Sequence, residues 1–229
     1  MNKSNMDIVH SILCLLRNSS QRKHVFRWLR SLRKDYLFKK KQPWLVFDVI
    51  DVLNSLPLEG NTVFEYGSGG STLFWLRHGA HLTSIEHDQT WYHTLRGQYL
   101  SDAALDYRLI QPQYIGHQNL DPADPDLYAS SDELFSHHSF RNYCSQIDEF
   151  PNNYFDLILI DGRARPSCIK HAHKKVRIGG LLVLDNSDRE YYLRMTSTFL
   201  RDFDRNIFRG VAAGQAWFTE TSVFTRRTL

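Results

Sequence analysis

The spacing of apolar and polar positions changes several times along the chain, and each change marks an element. Over 6–16 and 22–38 apolar residues recur at helical spacing. In the second segment Val25, Phe26, Leu29, Leu32, Tyr36 and Leu37 share a stripe, while Arg22, Lys23, Arg27, Arg30, Arg33 and Lys34 take the other faces. Lys39 to Lys41 and Pro43 close this arm, residues 1–43, and a helix over 44–56 stops before Pro57. Strands and helices then alternate: strand 62–66, helix 71–79, strand 82–86, helix 90–100, strand 106–110, an insertion of about 111–153, strand 155–160, helix 166–176, strand 180–184 and helix 191–203. Leu157 to Ile160 and Leu181 to Leu184 are apolar without a break, as central parallel strands covered on both faces should be. The last two strands, 206–211 and 217–225, are too close together for a helical crossover and should pair antiparallel. The pattern predicts an α/β fold: a doubly wound, mostly parallel seven-stranded sheet over 44–229, ending in an antiparallel hairpin and preceded by a helical arm. The insertion follows the third strand at the carboxyl edge, where a lid would lie, and carries one expected helix over 139–150.

One unit carries the first chemical signal. Val63 and Phe64 lead into Glu65, then Gly67, Ser68, Gly69 and Gly70 make a tight turn whose bare backbone admits a ligand, and a helix opens at Ser71. Glu86 ends the next strand, where a carboxylate can accept both hydroxyls of a ribose, with His87 beside it. This is a nucleoside site. A nicotinamide dinucleotide is disfavoured, because such a turn wants glycine where Thr72 stands, and the Glu65 carboxylate would repel a diphosphate.

The acid-x-Gly-x-Gly turn and the acid after the following strand resemble class I S-adenosylmethionine-dependent methyltransferases, as do the strand order and terminal hairpin. The resemblance covers about residues 44–229. It implies S-adenosylmethionine as cofactor, with Glu65, Gly67, Ser68, Gly69, Ser71, Glu86, His87 and Asp161 around it, Glu65 near the methionine part and Glu86 on the ribose. Gln111 and Tyr114 stand where this family often contacts adenine; Trp91 and Tyr92 could also pack near the base, although core packing is the commoner fate of such aromatics. The fourth strand ends in Asp161-Gly162-Arg163 and the fifth in Asp185-Asn186. Asp161, Asp185 and Asn186 offer three hard oxygen ligands that suit magnesium or another divalent cation, and they are similar to the metal ligands of catechol-type and caffeoyl-coenzyme A-type O-methyltransferases. The lysine of catechol-type enzymes is replaced by Ala164, so proton removal falls to Asp161 or a histidine such as His171. Arg163 and Arg165 cannot be bases but could bind a carboxylate or phosphate.

Composition narrows the partners. With 229 residues, 42% hydrophobic and 13% aromatic, the chain can bury one sizeable core. Its charge of +3 is uneven: residues 1–41 hold eleven Lys or Arg against Asp7 and Asp35, a balance of +9, which leaves −6 for the rest. A nucleic-acid substrate is therefore not expected, and Asp161-Gly162-Arg163-Ala164 lacks the Pro-Pro-aromatic clamp of base methyltransferases. The basic arm could touch an anionic membrane peripherally, an acidic partner, a dimer mate or its own domain, and the domain is expected to bind its cofactor without it. No apolar run suits a membrane span or signal, and Cys14, Cys144 and Cys168 read as reduced thiols, so a cytoplasmic location is expected. The expected function is an enzyme, an S-adenosylmethionine-dependent methyltransferase acting at oxygen of a small-molecule or peptide acceptor. The alternatives are a noncatalytic nucleoside-binding or scaffold protein and, third, a nicotinamide-dependent oxidoreductase.

Overall fold

The computed structural model describes residues 5–99, 104–215 and 217–228. Seven strands, β1 (Thr62–Tyr66), β2 (His81–Glu86), β3 (Leu105–Leu109), β4 (Phe155–Ile160), β5 (Val176–Asp185), β6 (Phe203–Gly210) and β7 (Thr219–Arg226), lie in the order β3-β2-β1-β4-β5-β7-β6. The five strands from β3 to β5 run parallel, and β7 is antiparallel to both neighbours. The chain winds outward from β1 to β3 and then crosses back to β4 on the other side of β1. At that reversal the connections leave in opposite directions and open a crevice at the carboxyl ends of β1 and β4.

The expected helices are present, most of them in shortened form. The first segment forms α1 (Asn5–Arg17), and the stripe over 22–38 breaks into a 3-10 turn (Arg22–His24), α2 (Val25–Ser31) and α3 (Tyr36–Lys40), because Asp35 adopts a left-handed φ of 58° that no helix continues through. The helix expected over 44–56 is α4 (Phe47–Asn54); Val46 bridges Ala212 instead, and the Phe47 amide donates to the Val211 carbonyl. Only Tyr191–Arg194 and a 3-10 turn at Ser197–Leu200 form in place of helix 191–203, since Phe203 already pairs with Arg226 in the terminal hairpin. The insertion holds a two-residue strand pair, Gln113–Tyr114 with His138–Ser139, a 3-10 turn at Glu133–Phe135, and, where a helix over 139–150 was expected, the helix Arg141–Cys144 continued by a 3-10 helix, Ser145–Glu149.

Each face of the sheet has its own cover. On one, α4 and the helix Gly70–Arg77 pack with Leu15, Val25 and Trp28 of the arm; on the other lie Phe140, Tyr143, Cys144 and Ile147 of the insertion. Trp28 is fully buried and its indole donates to the Gln215 carbonyl at 2.6 Å. Gln21 and His24 bind Asp48 of α4 at 2.6 and 3.0 Å. The arm is thus a layer of the core rather than a separate unit ending at residue 43. Among the described residues no helix is long and apolar enough to cross a membrane.

Candidate active site

The glycine turn is held from beneath. Gly67 has φ +90°, and a Cβ there would come within 2.9 Å of the Gly162 Cα, so the two lips of the crevice meet through bare backbone. The Gly69 amide donates to Thr72 Oγ1 at 2.9 Å, and that hydroxyl donates to Glu65 Oε2 at 2.6 Å. Ser84 donates to the same oxygen at 2.6 Å, and the Trp75 indole reaches Oε1 at 3.3 Å. Glu65 is completely buried. Desolvation pushes its pKa up to about 7, against the hydrogen bonds from Ser71, Ser84, Thr72 and Trp75. Glu65 and Ser71 therefore face inward and shape the turn, and neither lines the cleft. Thr72, which replaces a dinucleotide-site glycine, is the hub of this network.

Glu86 sits at the opposite end of the turn. Its Oε2 accepts from the Ser68 amide and hydroxyl at 3.0 and 2.7 Å, and its Oε1 accepts from the amides of His87 and Asp88 at 2.7 and 2.9 Å. Burial alone would raise its pKa, but these contacts with His87, Asp88 and Ser68 outweigh it and hold the group ionised. A cleft of about 320 Å³ brings together Gly67, Ser68, Glu86, His87 and Asp161. Trp91 also lines it, its indole donating to the Ser68 carbonyl at 3.0 Å and its ring lying 5.4 Å from Phe38 of the arm. A sequence signal for Trp91 existed: Asp88, three residues earlier, caps the helix Gln89–Tyr99 and accepts the Trp91 amide at 2.8 Å. Gln111 and Tyr114 lie outside the cleft; Gln111 bonds Gln89, and Tyr114 is exposed beside His138.

At the ends of β4 and β5 the chain supplies its own cation. Arg165, which opens the helix Arg165–Ala172, is 6% exposed; its Nε donates to the Gly162 carbonyl at 3.0 Å, one Nη to Asp161 Oδ1 at 2.9 Å and the other to the Asp185 carbonyl. Asp185 Oδ1 accepts from Thr221 at 2.6 Å, and the Asn186 amide donates to Thr219 at 3.2 Å. The carboxylates of Asp161 and Asp185 thus each accept from a protein donor, Asn186 is held through its own amide donating to Thr219, and a positive charge is already present in the Arg165 guanidinium. The donor set does not fit a metal. Desolvation and the Asp185 charge push Asp161 up to about 8, although Arg165 opposes them. Asp185 is also raised by burial, against Arg165 and Thr221.

His171 does not reach the cleft. Its Nδ1 lies 2.7 Å from Asp148 and its Nε2 3.3 Å from the Tyr128 hydroxyl, and it lines a separate cavity of about 740 Å³ with Asp148, Lys174 and Arg226. Proton transfer by His171 in the cleft is ruled out by this placement. The insertion, in contrast, closes over the site. Asp132 pairs with Arg163 at 2.9 Å, Asp121 with Arg194 at 2.8 Å, and the Tyr191 hydroxyl donates to Ser131 at 2.7 Å. Leu134 and Phe135 roof the cofactor side. A second cavity of about 470 Å³, lined by Ser130, Ser131, Arg163, Arg189, Tyr191 and Tyr192, shares Asp132, Gly162 and Arg163 with the cleft.

No protein-family model matches the chain, and no curated protein matches its sequence. Solved structures match its fold. A candidate O-methyltransferase from Klebsiella pneumoniae aligns with 100% of this chain and 93% of its own at 15% identity and a TM-score of 0.50. The O-methyltransferase from Bacillus cereus in complex with S-adenosylhomocysteine (SAH) covers 99% of this chain and 93% of its own, at 12% identity and a TM-score of 0.51. A Corynebacterium glutamicum protein covers 100% and 93%, at 12% identity and 0.50. At these identities the likeness is one of fold: the seven-stranded methyltransferase sheet with its antiparallel hairpin.

Proposed function

We propose that the chain binds S-adenosylmethionine in the cleft between β1 and β4 and directs its methyl group to an oxygen of a small polar acceptor in the adjoining cavity. The observation that carries this reading is the junction itself: a nucleoside cleft and a second cavity meet at Gly162 and Arg163, with Asp161 lining the cleft beside them. S-adenosylmethionine supplies an electrophilic methyl on a cationic sulfur. Glu86 would hold the ribose hydroxyls; Ser68 can release it, since its hydroxyl has a second partner in Tyr107 at 2.7 Å. Trp91 would flank the base, and the cationic sulfur near Asp161 would favour its ionised form. A carboxyl poised near neutral pH is also suited to accept the proton of an acceptor hydroxyl, so Asp161 takes the role of base. The remaining contribution of the chain is alignment in a site roofed by Phe135. No step is routed through a metal.

Calorimetry with SAH and with NAD tests the cofactor half. SAH is expected to bind and NAD not, and Glu86→Ala should weaken SAH at least about 100-fold, because two charge-assisted hydrogen bonds of about 1.5–3 kcal/mol each are lost. Binding of NAD alone would overturn the reading.

A further inference from the structure

We propose that the acceptor carries an oxyanion, a carboxylate or phosphate, seated by Arg163 and Arg189 in the cavity beside the cofactor cleft; this rests on the methyl-transfer reading and names its substrate class. Three guanidiniums, those of Arg163, Arg165 and Arg189, line this cavity, against the single carboxylate of Asp132. They are not equivalent. Arg165 is committed to Gly162, Asp161 and Asp185. Arg163 gives one Nη to Asp132, while its Nε is buried without a partner. A buried donor left unpaired costs free energy until a ligand supplies an acceptor. Arg189 donates to the Tyr192 hydroxyl at 2.9 Å, and among the described residues no carboxylate pairs with it.

Tyr192 shows why an anion belongs there. Its ring faces two guanidiniums, with Arg165 at 5.3 Å and Arg189 at 5.8 Å from the centroid. The ring holds both cations by its negative face, but the cations repel each other, and an oxyanion near Arg189 and Arg163 relieves that repulsion with charge-assisted hydrogen bonds. Ser130, Ser131 and the Tyr191 hydroxyl add polar lining that suits the hydroxylated body of a polar molecule better than an apolar ring. The cavity, about 470 Å³, is in the range of small-molecule sites.

The test is calorimetry on the full chain titrated with inorganic phosphate and, separately, with malonate, each with and without SAH. Saturable binding of either anion is expected, phosphate or malonate showing which oxyanion is preferred. Arg189→Gln should weaken that anion at least about tenfold, Arg189→Lys should recover most of it, and SAH affinity should stay within about twofold. No saturable binding of either anion, or equal anion affinity in Arg189→Gln, overturns the proposal. Failure of SAH to bind would strike the cofactor reading instead, and the titrations without SAH would still decide the anion site. Should Arg189→Gln not fold, Arg163→Gln, which removes the other guanidinium that seats the anion, replaces it with the same expected loss of anion affinity.

Discussion

The cofactor side of the cleft draws half its lining from one stretch of sequence, Gly67 to Trp91, whereas the acceptor side is drawn from Ser130 to Asp132, Gly162 to Arg165 and Arg189 to Tyr192. The first is saturated with internal hydrogen bonds: Glu65 is held by Thr72, Ser84 and Trp75, and Glu86 by Ser68, His87 and Asp88. The second keeps donors uncommitted on Arg163 and Arg189. A preorganised half loses little freedom on binding and suits one unvarying ligand. A half with spare donors, lined by Ser130 to Asp132 of the insertion, is where a methyl acceptor would be selected.

That contrast can be broken most forcefully through the arm, which touches the cofactor side. A Cβ at Gly70 would run into the Gln42 carbonyl, and Phe38 lies against Trp91. Trp28→Ala empties a fully buried site and should cost about 3–5 kcal/mol, or roughly 10 °C in Tm, read by thermal and denaturant melts. An unchanged Tm would mean that the arm is not part of the core.

Next in size is the pH dependence of the buried acids. The folded pKa values of Glu65 and Asp161 lie above the ordinary carboxylate range, at about 7 and about 8. Their stabilisation is complete below the unfolded pKa and disappears as pH rises through the folded values, so stability should fall between about pH 5 and 8. Glu65 alone accounts for about 3 kcal/mol at most. Denaturant melts across that range should show a shallower slope in Glu65→Gln, and a slope unchanged from wild type would place the proton elsewhere.

Smaller still is Thr72→Val, which keeps the shape and removes the relay between Gly69 and Glu65. It should cost about 1–3 kcal/mol and weaken SAH while leaving phosphate or malonate binding intact. Equal loss of both ligands would show that the two halves are not separable. The smallest effect sharpens the acceptor side: with Arg165 placed between Asp161 and Asp185, a chelator should change SAH binding and methyl transfer by less than about twofold. A larger loss, restored by magnesium, would show that the guanidinium is displaced by an ion.

Much of the cofactor half was legible because it is local. A strand, a glycine turn and a helix place Gly67, Ser68 and Glu86 within one supersecondary unit, and spacing alone brings them together. What spacing could not show was orientation. Glu65 was expected near the ligand, but its carboxylate turns toward Thr72 and Ser84, where burial is complete. Of the two places open to Trp91, the core or the neighbourhood of the base, the structure puts it in the lining of the cleft. The metal expectation could not foresee a competing cation for a related reason: Asp161, Asp185 and Asn186 do come to adjacent strand ends, yet the side chain that lies between them, Arg165, comes from the next helix. His171 lies on that same helix, where Asp148 and Tyr128 claim it.

The sequence by itself determined the sheet, its order of elements, the terminal hairpin and the glycine turn, since periodicity and turn chemistry act over a few residues. Only the tertiary structure decided that the arm is a layer of the core, that Arg165 lies between Asp161 and Asp185, and that Arg163, Arg189 and Tyr192 converge on one cavity. These depend on long-range packing, in which side chains far apart in sequence compete for the same space and the same hydrogen-bond partners.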